Sequence, residues 1–126
     1  MAKKIVESKN APAPIGPYSQ AVLVNGILYV SGQIPLDPQT GNLVTGGIES
    51  ETHQVMKNLQ AILTEAGMDF SNVVKCSIFV KDMNNFAAIN KIYGEYFKAD
   101  FPARETVEVS RLPKDVNVEI SCIAVV

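Results

Sequence analysis

The chain has 126 residues, a formal net charge of −2 and an apolar fraction of 47%. That length suits one domain, residues 1–126, able to bury roughly two-thirds of its unfolded surface. The acidic balance offers nucleic acid no electrostatic footprint, no apolar run approaches the ~20 residues of a membrane span, and the N-terminus lacks a signal-peptide core.

The first sixteen residues read as irregular, because Pro12, Pro14 and Gly16 block regular structure. Ser19–Val24 and Ile27–Ser31 flank Asn25-Gly26, which predicts a tight hairpin. Gln33–Gly47 carries two prolines and three glycines and reads as a long turn-rich loop, a length often tied to function. A helix is predicted from about Ile48 to Ala66, with Val55, Leu59, Ile62, Leu63 and Ala66 on its inner face and Gly67 as its stop.

Val73–Lys81 reads as a strand with Cys76, Ile78 and Val80 on one side. Asn84 or Asn85 can cap a second helix running to about Lys98, whose inward candidates are Phe86, Ile89, Tyr93 and Phe97. Two closing strands follow, about Arg104–Arg111 and Val118–Val125, joined by a turn at Pro113. The order predicts an α+β domain with two helices on one face of a mainly antiparallel sheet.

Cys76 and Cys122 lie in strand-like runs without metal-ligand spacing, so they read as small apolar fillers in a reduced, cytoplasmic protein. The single histidine, His53, reads as a helix-surface residue, and no metal site is expected.

The closing strands carry the chemistry. Arg104 stands at the mouth of one, an always-charged fork suited to gripping a carboxylate. Glu119 lies between Val118 and Ile120, where desolvation would ready it as a general base or acid. Alternation sets Arg104, Thr106 and Glu108 opposite Val107 and Val109, and Glu119, Ser121, Ile123 and Val125 opposite Val118, Ile120, Cys122 and Ala124. If the helices cover the all-apolar faces, Arg104 and Glu119 share the other side of the sheet. That side is apolar enough to pack against another subunit. The plainer alternative is a cross-strand ion pair between the two.

Further segments carry a resemblance. They are Ala13-Pro14-Ile15-Gly16-Pro17-Tyr18-Ser19-Gln20, Ser31-Gly32-Gln33-Ile34-Pro35, and Asn90 with Tyr93. Pro102-Ala103-Arg104, Val107-Glu108-Val109, Leu112-Pro113-Lys114-Asp115 and Val118-Glu119-Ile120 complete the set. In this order and spacing the chain resembles the RidA/YjgF family of imine and enamine deaminases.

The resemblance implies a chorismate-mutase-like fold and a homotrimer packed around a central barrel, with a cleft between each pair of subunits. It implies hydrolysis of 2-imino acids such as 2-iminobutanoate and 2-iminopropanoate to 2-oxo acids and ammonia, without metal or organic cofactor. Arg104 would hold the substrate carboxylate and Glu119 would position water and relay protons. Backbone N–H groups around Gly32 and Thr106 would add contacts, Tyr18 and Phe86 would form walls, and Asn90 and Ser31 would assist. Many relatives carry cysteine where this chain has Thr106. Tyr18, Phe86, Gly32 and Asn90 each also fit ordinary structural roles. Two other functions compete: a non-catalytic sensor of small 2-oxo acids that regulates a metabolic partner, and an RNA-directed activity, which the acidic charge disfavours.

Overall fold

A computed structural model describes residues 2–126. Asn25 and Gly26 take φ of 53° and 76°, the paired left-handed conformation that a two-residue hairpin needs. They join β2 (Ala21–Val24) to β3 (Ile27–Gln33) as the sequence predicts. The first sixteen residues are not wholly irregular: Lys4–Val6 forms a short edge strand, β1, paired antiparallel with β2. Its three residues precede the prolines, so the breakers stop the strand without preventing it.

Helix α1 (Ile48–Glu65) presents Val55, Met56, Leu59, Ile62 and Leu63 to the sheet, all with no exposed surface. Gly67, at φ 76°, turns the chain out of it toward β4 (Val73–Val80). Asn85 holds the N-cap position of the second helix, as the sequence allows, but its side chain makes no capping hydrogen bond; the side-chain cap falls three residues earlier, on Asp82. Its carboxylate accepts from the Asn84 backbone N–H at 2.9 Å and fixes a single 3-10 turn, Met83–Asn85. Helix α2 then runs only over Phe86–Gly94, and Tyr96 and Phe97 follow in turns; Phe97 stays buried through ring contacts with Tyr93 and Phe70. Gly94, the poorest helix former near that end, is where the helix stops.

The closing strands are β5 (Ala103–Glu108) and β6 (Val118–Val125). They are not hairpin neighbours. The six strands run in the order β1-β2-β3-β6-β4-β5: β6 lies antiparallel between β3 and β4, and β5 is an edge strand parallel to β4. The chain after β5 is long enough to cross over β4, and β6 is apolar enough to take the doubly flanked position.

Register then decides which way each side chain points. Cys76 and Ile78 of β4, both buried beneath the helices, pair with Arg104 and Thr106. Phe79, on the other face, pairs with Glu119 across β6 and with Val107 across β5. Arg104 therefore faces α2, while Glu119 faces the uncovered side, so the expectation that they share one face is wrong. The error lies in β5: as an edge strand it overhangs the core, and its helix-facing row can be polar. The cross-strand ion-pair alternative falls with it, because β4 separates the two strands and no Arg104–Glu119 ion pair forms.

The loop between β3 and α1 covers a small second core of Ile34, Leu112 and Val116. Asn58, fully buried on α1, pins it by donating to the carbonyls of Ile34 and Leu36 at 3.1 and 3.0 Å. Cys76 and Cys122 are buried free thiols opposite one another on β4 and β6, and burial pushes both upward in pKa, as inert fillers require. His53 is only partly exposed: its Nδ1 shares a 3.0 Å hydrogen bond with the Tyr96 hydroxyl, tying α1 to the turn after α2. No helix among the described residues is long and apolar enough to cross a membrane.

Candidate active site

The residues singled out in the sequence fall into two clusters. The first lies between α2 and β5. Phe86, Asn90 and Tyr93 recur at helical spacing i, i+4, i+7 and so share one face of α2. That face meets Arg104. The guanidinium carbon sits 5.1 Å from the Tyr93 ring centre and 5.6 Å from that of Phe86, and Nη1 donates to Asn90 Oδ1 at 2.7 Å. Stacking and one neutral hydrogen bond orient the fork without neutralising it. Among the described residues Arg104 has no acidic partner.

Two residues along the same face of β5, the Thr106 hydroxyl is buried with no hydrogen-bond partner. Beneath Arg104, burial and the neighbouring Cys76 thiol hold the Tyr93 phenol firmly in its neutral form. Tyr93 reads from sequence as a core residue; its spacing from Phe86 and Asn90 was the signal that it belongs to the arginine's surroundings.

The second cluster lines a cleft of about 330 Å³ formed by Ile15, Tyr18, Ser31, Gly32, Ile34, Pro113 and Glu119. Ser31 and Gly32 occupy an irregularity in the β3–β6 pairing, between Val30 and Gln33, where the ladder shifts register. Such a bulge re-aims the backbone beside a site. A methyl group at position 32 would stand 2.7 Å from Oε2 of Glu119, so the carboxylate occupies space that only glycine leaves open.

Glu119 makes no side-chain hydrogen bond and no ion pair among the described residues, and partial burial raises its pKa above the usual glutamate value. A carboxylate that is desolvated and unpartnered is a ready proton acceptor. Tyr18 is 47% exposed at the cleft mouth, and its hydroxyl oxygen accepts from the Ile15 backbone N–H at 3.2 Å. The Ser31 hydroxyl is already committed, donating to the Ser19 carbonyl at 2.6 Å. Ile34 and Pro113, not singled out from the sequence as site residues, supply apolar wall.

Arg104, Phe86, Asn90 and Thr106 thus come together, as do Tyr18, Ser31, Gly32 and Glu119; one chain does not bring the two sets into one pocket. Glu105, adjacent to Arg104, points to the uncovered face. There it pairs with Lys75 at 2.9 Å and accepts from Ser77, first the hydroxyl and then the ammonium holding its carboxyl below the usual range. No group of three or more His, Cys, Asp or Glu residues able to share a metal ion occurs among the described residues.

The two clusters sit on a two-helix, six-strand sheet that known proteins share. The family model described as Endoribonuclease L-PSP matches residues 8–126. A crystal structure of the Rid-family protein YyfA from Yersinia pestis superposes with a TM-score of 0.97 at 56% identity, covering 99% of this chain and 100% of that one. A RutC family protein of Synechocystis is 56% identical over 99% of this chain and 98% of its own length. The human 2-iminobutanoate/2-iminopropanoate deaminase is 46% identical over 99% of this chain and 91% of its own length. The chain belongs to the RidA/YjgF family.

Proposed function

We propose that this protein hydrolyses 2-imino acids to 2-oxo acids and ammonia, at a site completed by two copies of the chain. The observation that carries the reading is that Arg104 and Glu119 are both left without a countercharge on opposite faces of one sheet. A neighbouring subunit that brings its Glu119 cleft to the far side of a substrate held by Arg104 would complete the site, the substrate carboxylate serving as the countercharge of Arg104. The uncovered sheet face supports such association: Ile5, Tyr29 and Val107 are 49%, 46% and 40% exposed on it, beside Val22, Ile123 and Phe79. An apolar sheet face of this extent is unusual in a monomer. The homotrimer that the family resemblance implies accommodates it, with three such sites.

In that site the Arg104 fork binds the substrate carboxylate and fixes the imine carbon. Glu119 takes a proton from water as the oxygen adds to the C=N carbon and passes it to the imine nitrogen, giving a carbinolamine and regenerating the carboxylate. Glu119 then relays the carbinolamine hydroxyl proton to nitrogen. The C–N bond breaks, ammonia leaves and the 2-oxo acid remains. The naming of the human relative supports this substrate class. A sensor of 2-oxo acids would need Arg104 but would gain nothing from a second, unpaired anion beside the ligand. Cleavage of RNA, suggested by the family model's description, finds no support in a net charge of −2.

The test is a coupled assay in which an amino-acid oxidase generates 2-iminobutanoate while semicarbazide traps what survives. Wild-type protein should suppress semicarbazone formation, and Arg104→Ala and Glu119→Gln should not. An assembled wild-type protein that gives no suppression would count against the deaminase for this substrate.

A further inference from the structure

Glu108 is an exposed carboxylate that does not simply face water. It ends the helix-facing row of β5, in which Arg104, Thr106 and Glu108 stand opposite Cys76, Ile78 and Val80, all buried beneath the helices. From there its Oε1 accepts the Met83 backbone N–H at 2.8 Å. That N–H opens the 3-10 turn Met83–Asn85, where a first-turn donor has no partner within the helix itself. The next one, on Asn84, is taken locally by Asp82, and the turn leads directly into Phe86.

Among the described residues, two side-chain hydrogen bonds join residues 83–94 to β5: this one, and that from Arg104 Nη1 to Asn90. They bracket Phe86, whose ring centre lies 5.6 Å from the guanidinium carbon. Arg104 and Glu108 are about 13 Å apart along the strand, so the two ties hold the start and the middle of α2 separately.

We infer that Glu108 is a positioning residue for the carboxylate grip of Arg104: by holding the Met83 N–H it fixes the Phe86 ring where it orients the guanidinium fork. This rests on the proposed carboxylate-binding role of Arg104 and adds the residue that maintains it. Without Glu108, α2 would be tied to β5 through Arg104 alone, and an arginine turning toward a ligand would release the helix that orients it. With Glu108 in place, the fork shares its donors with a carboxylate while its aromatic wall stays still. An anion has the wrong charge to bind the substrate carboxylate, so Glu108 acts through the helix.

Glu108→Ala removes the acceptor, whereas Glu108→Gln keeps an acceptor oxygen and loses only the charge. Assembly is checked by size-exclusion chromatography, 2-oxobutanoate is the binding probe in calorimetry, and hydrogen exchange reads the backbone of residues 83–90 in the free proteins. Glu108→Ala should exchange faster in that segment, bind 2-oxobutanoate about tenfold more weakly, and raise KM for the imine by a similar factor with little change in kcat. Glu108→Gln should stay within about threefold of wild type in binding and KM. If Glu108→Ala loosens the segment yet binds as wild type does, the tie is structural only and the inference is wrong. If both variants bind more tightly, Glu108 acts through its charge, and the inference is equally wrong. Unchanged exchange in Glu108→Ala would overturn the positioning role alone. If assembled wild type itself fails to bind 2-oxobutanoate, the carboxylate role of Arg104 fails and takes this one with it.

Discussion

Gly32 lies directly beneath the Glu119 carboxylate: a Cβ at position 32 would meet Oε2 at 2.7 Å and the carboxyl carbon at 2.8 Å. The glycine is therefore part of the base's position and not merely part of a turn. Gly32→Ala should fold, because its φ is not in the left-handed range and the clash falls on a movable side chain. Displacing the carboxylate by about 1 Å should lower kcat on the order of 100-fold. Steady-state kinetics on the folded variant checks this; unchanged kcat would mean that the carboxylate has no fixed catalytic position.

Arg104 is held by two rings and one amide, none of them charged. Arg104→Lys keeps the charge but loses the planar fork and the stacking geometry. It should weaken 2-oxobutanoate binding about 10-fold or more. Because no internal ion pair is broken, its thermal midpoint should stay near that of wild type. Calorimetric titration and a melt on the same sample separate the two effects.

The pKa of Glu119 is raised in the folded state by desolvation, above the ordinary glutamate value of 4.5. Acting as a base, it must be ionised, so kcat/KM should fall on the acid side with a midpoint above that value. Stability has the opposite sign. A group that binds its proton more tightly when folded contributes stability that is full below the unfolded pKa and is lost as pH rises through the folded one. Glu119→Gln should therefore be inactive yet more stable than wild type at neutral pH, with the advantage vanishing below about pH 4.5. Thermal melts of both proteins across that range are the check.

Asn58 connects the core to the cleft by donating to the carbonyls of Ile34 and Leu36 from a fully buried position. Asn58→Leu leaves two loop carbonyls unsatisfied beside the Glu119 cleft, of which Ile34 is a wall. A loss of about 2–4 kcal/mol is expected in chemical denaturation. A loss below about 1 kcal/mol would mean that water replaces the amide.

Local signals were legible in the sequence. Asn25-Gly26 encodes its hairpin through two left-handed residues, and Val55, Leu59, Ile62 and Leu63 encode the buried face of α1 by their spacing. Arg104 and Glu119 stood out for the same local reason, as single charges in strand-like runs. Their relationship did not, because pairing order is a long-range property. Nothing near Pro113 says that β6 will pass over β4 to lie beside β3. Alternation separates the two sides of β5, but its helix side could not be read from apolarity, because an edge strand need not bury its apolar row. Phe86 and Tyr93 read as inward-facing by periodicity while Asn90 came only from the resemblance, and it is their convergence on Arg104 that gives the three a meaning beyond packing.

The central claim is that one site takes Arg104 from one subunit and Glu119 from its neighbour. Arg104→Ala and Glu119→Gln proteins, each inactive alone, can be unfolded together and refolded as mixed oligomers. A 1:1 mixture in a heterologous ring restores an intact pair at about one site in four, so roughly a quarter of wild-type imine hydrolysis should return. If both charges act from the same chain, every subunit in the mixture carries a defect, and no activity will reappear.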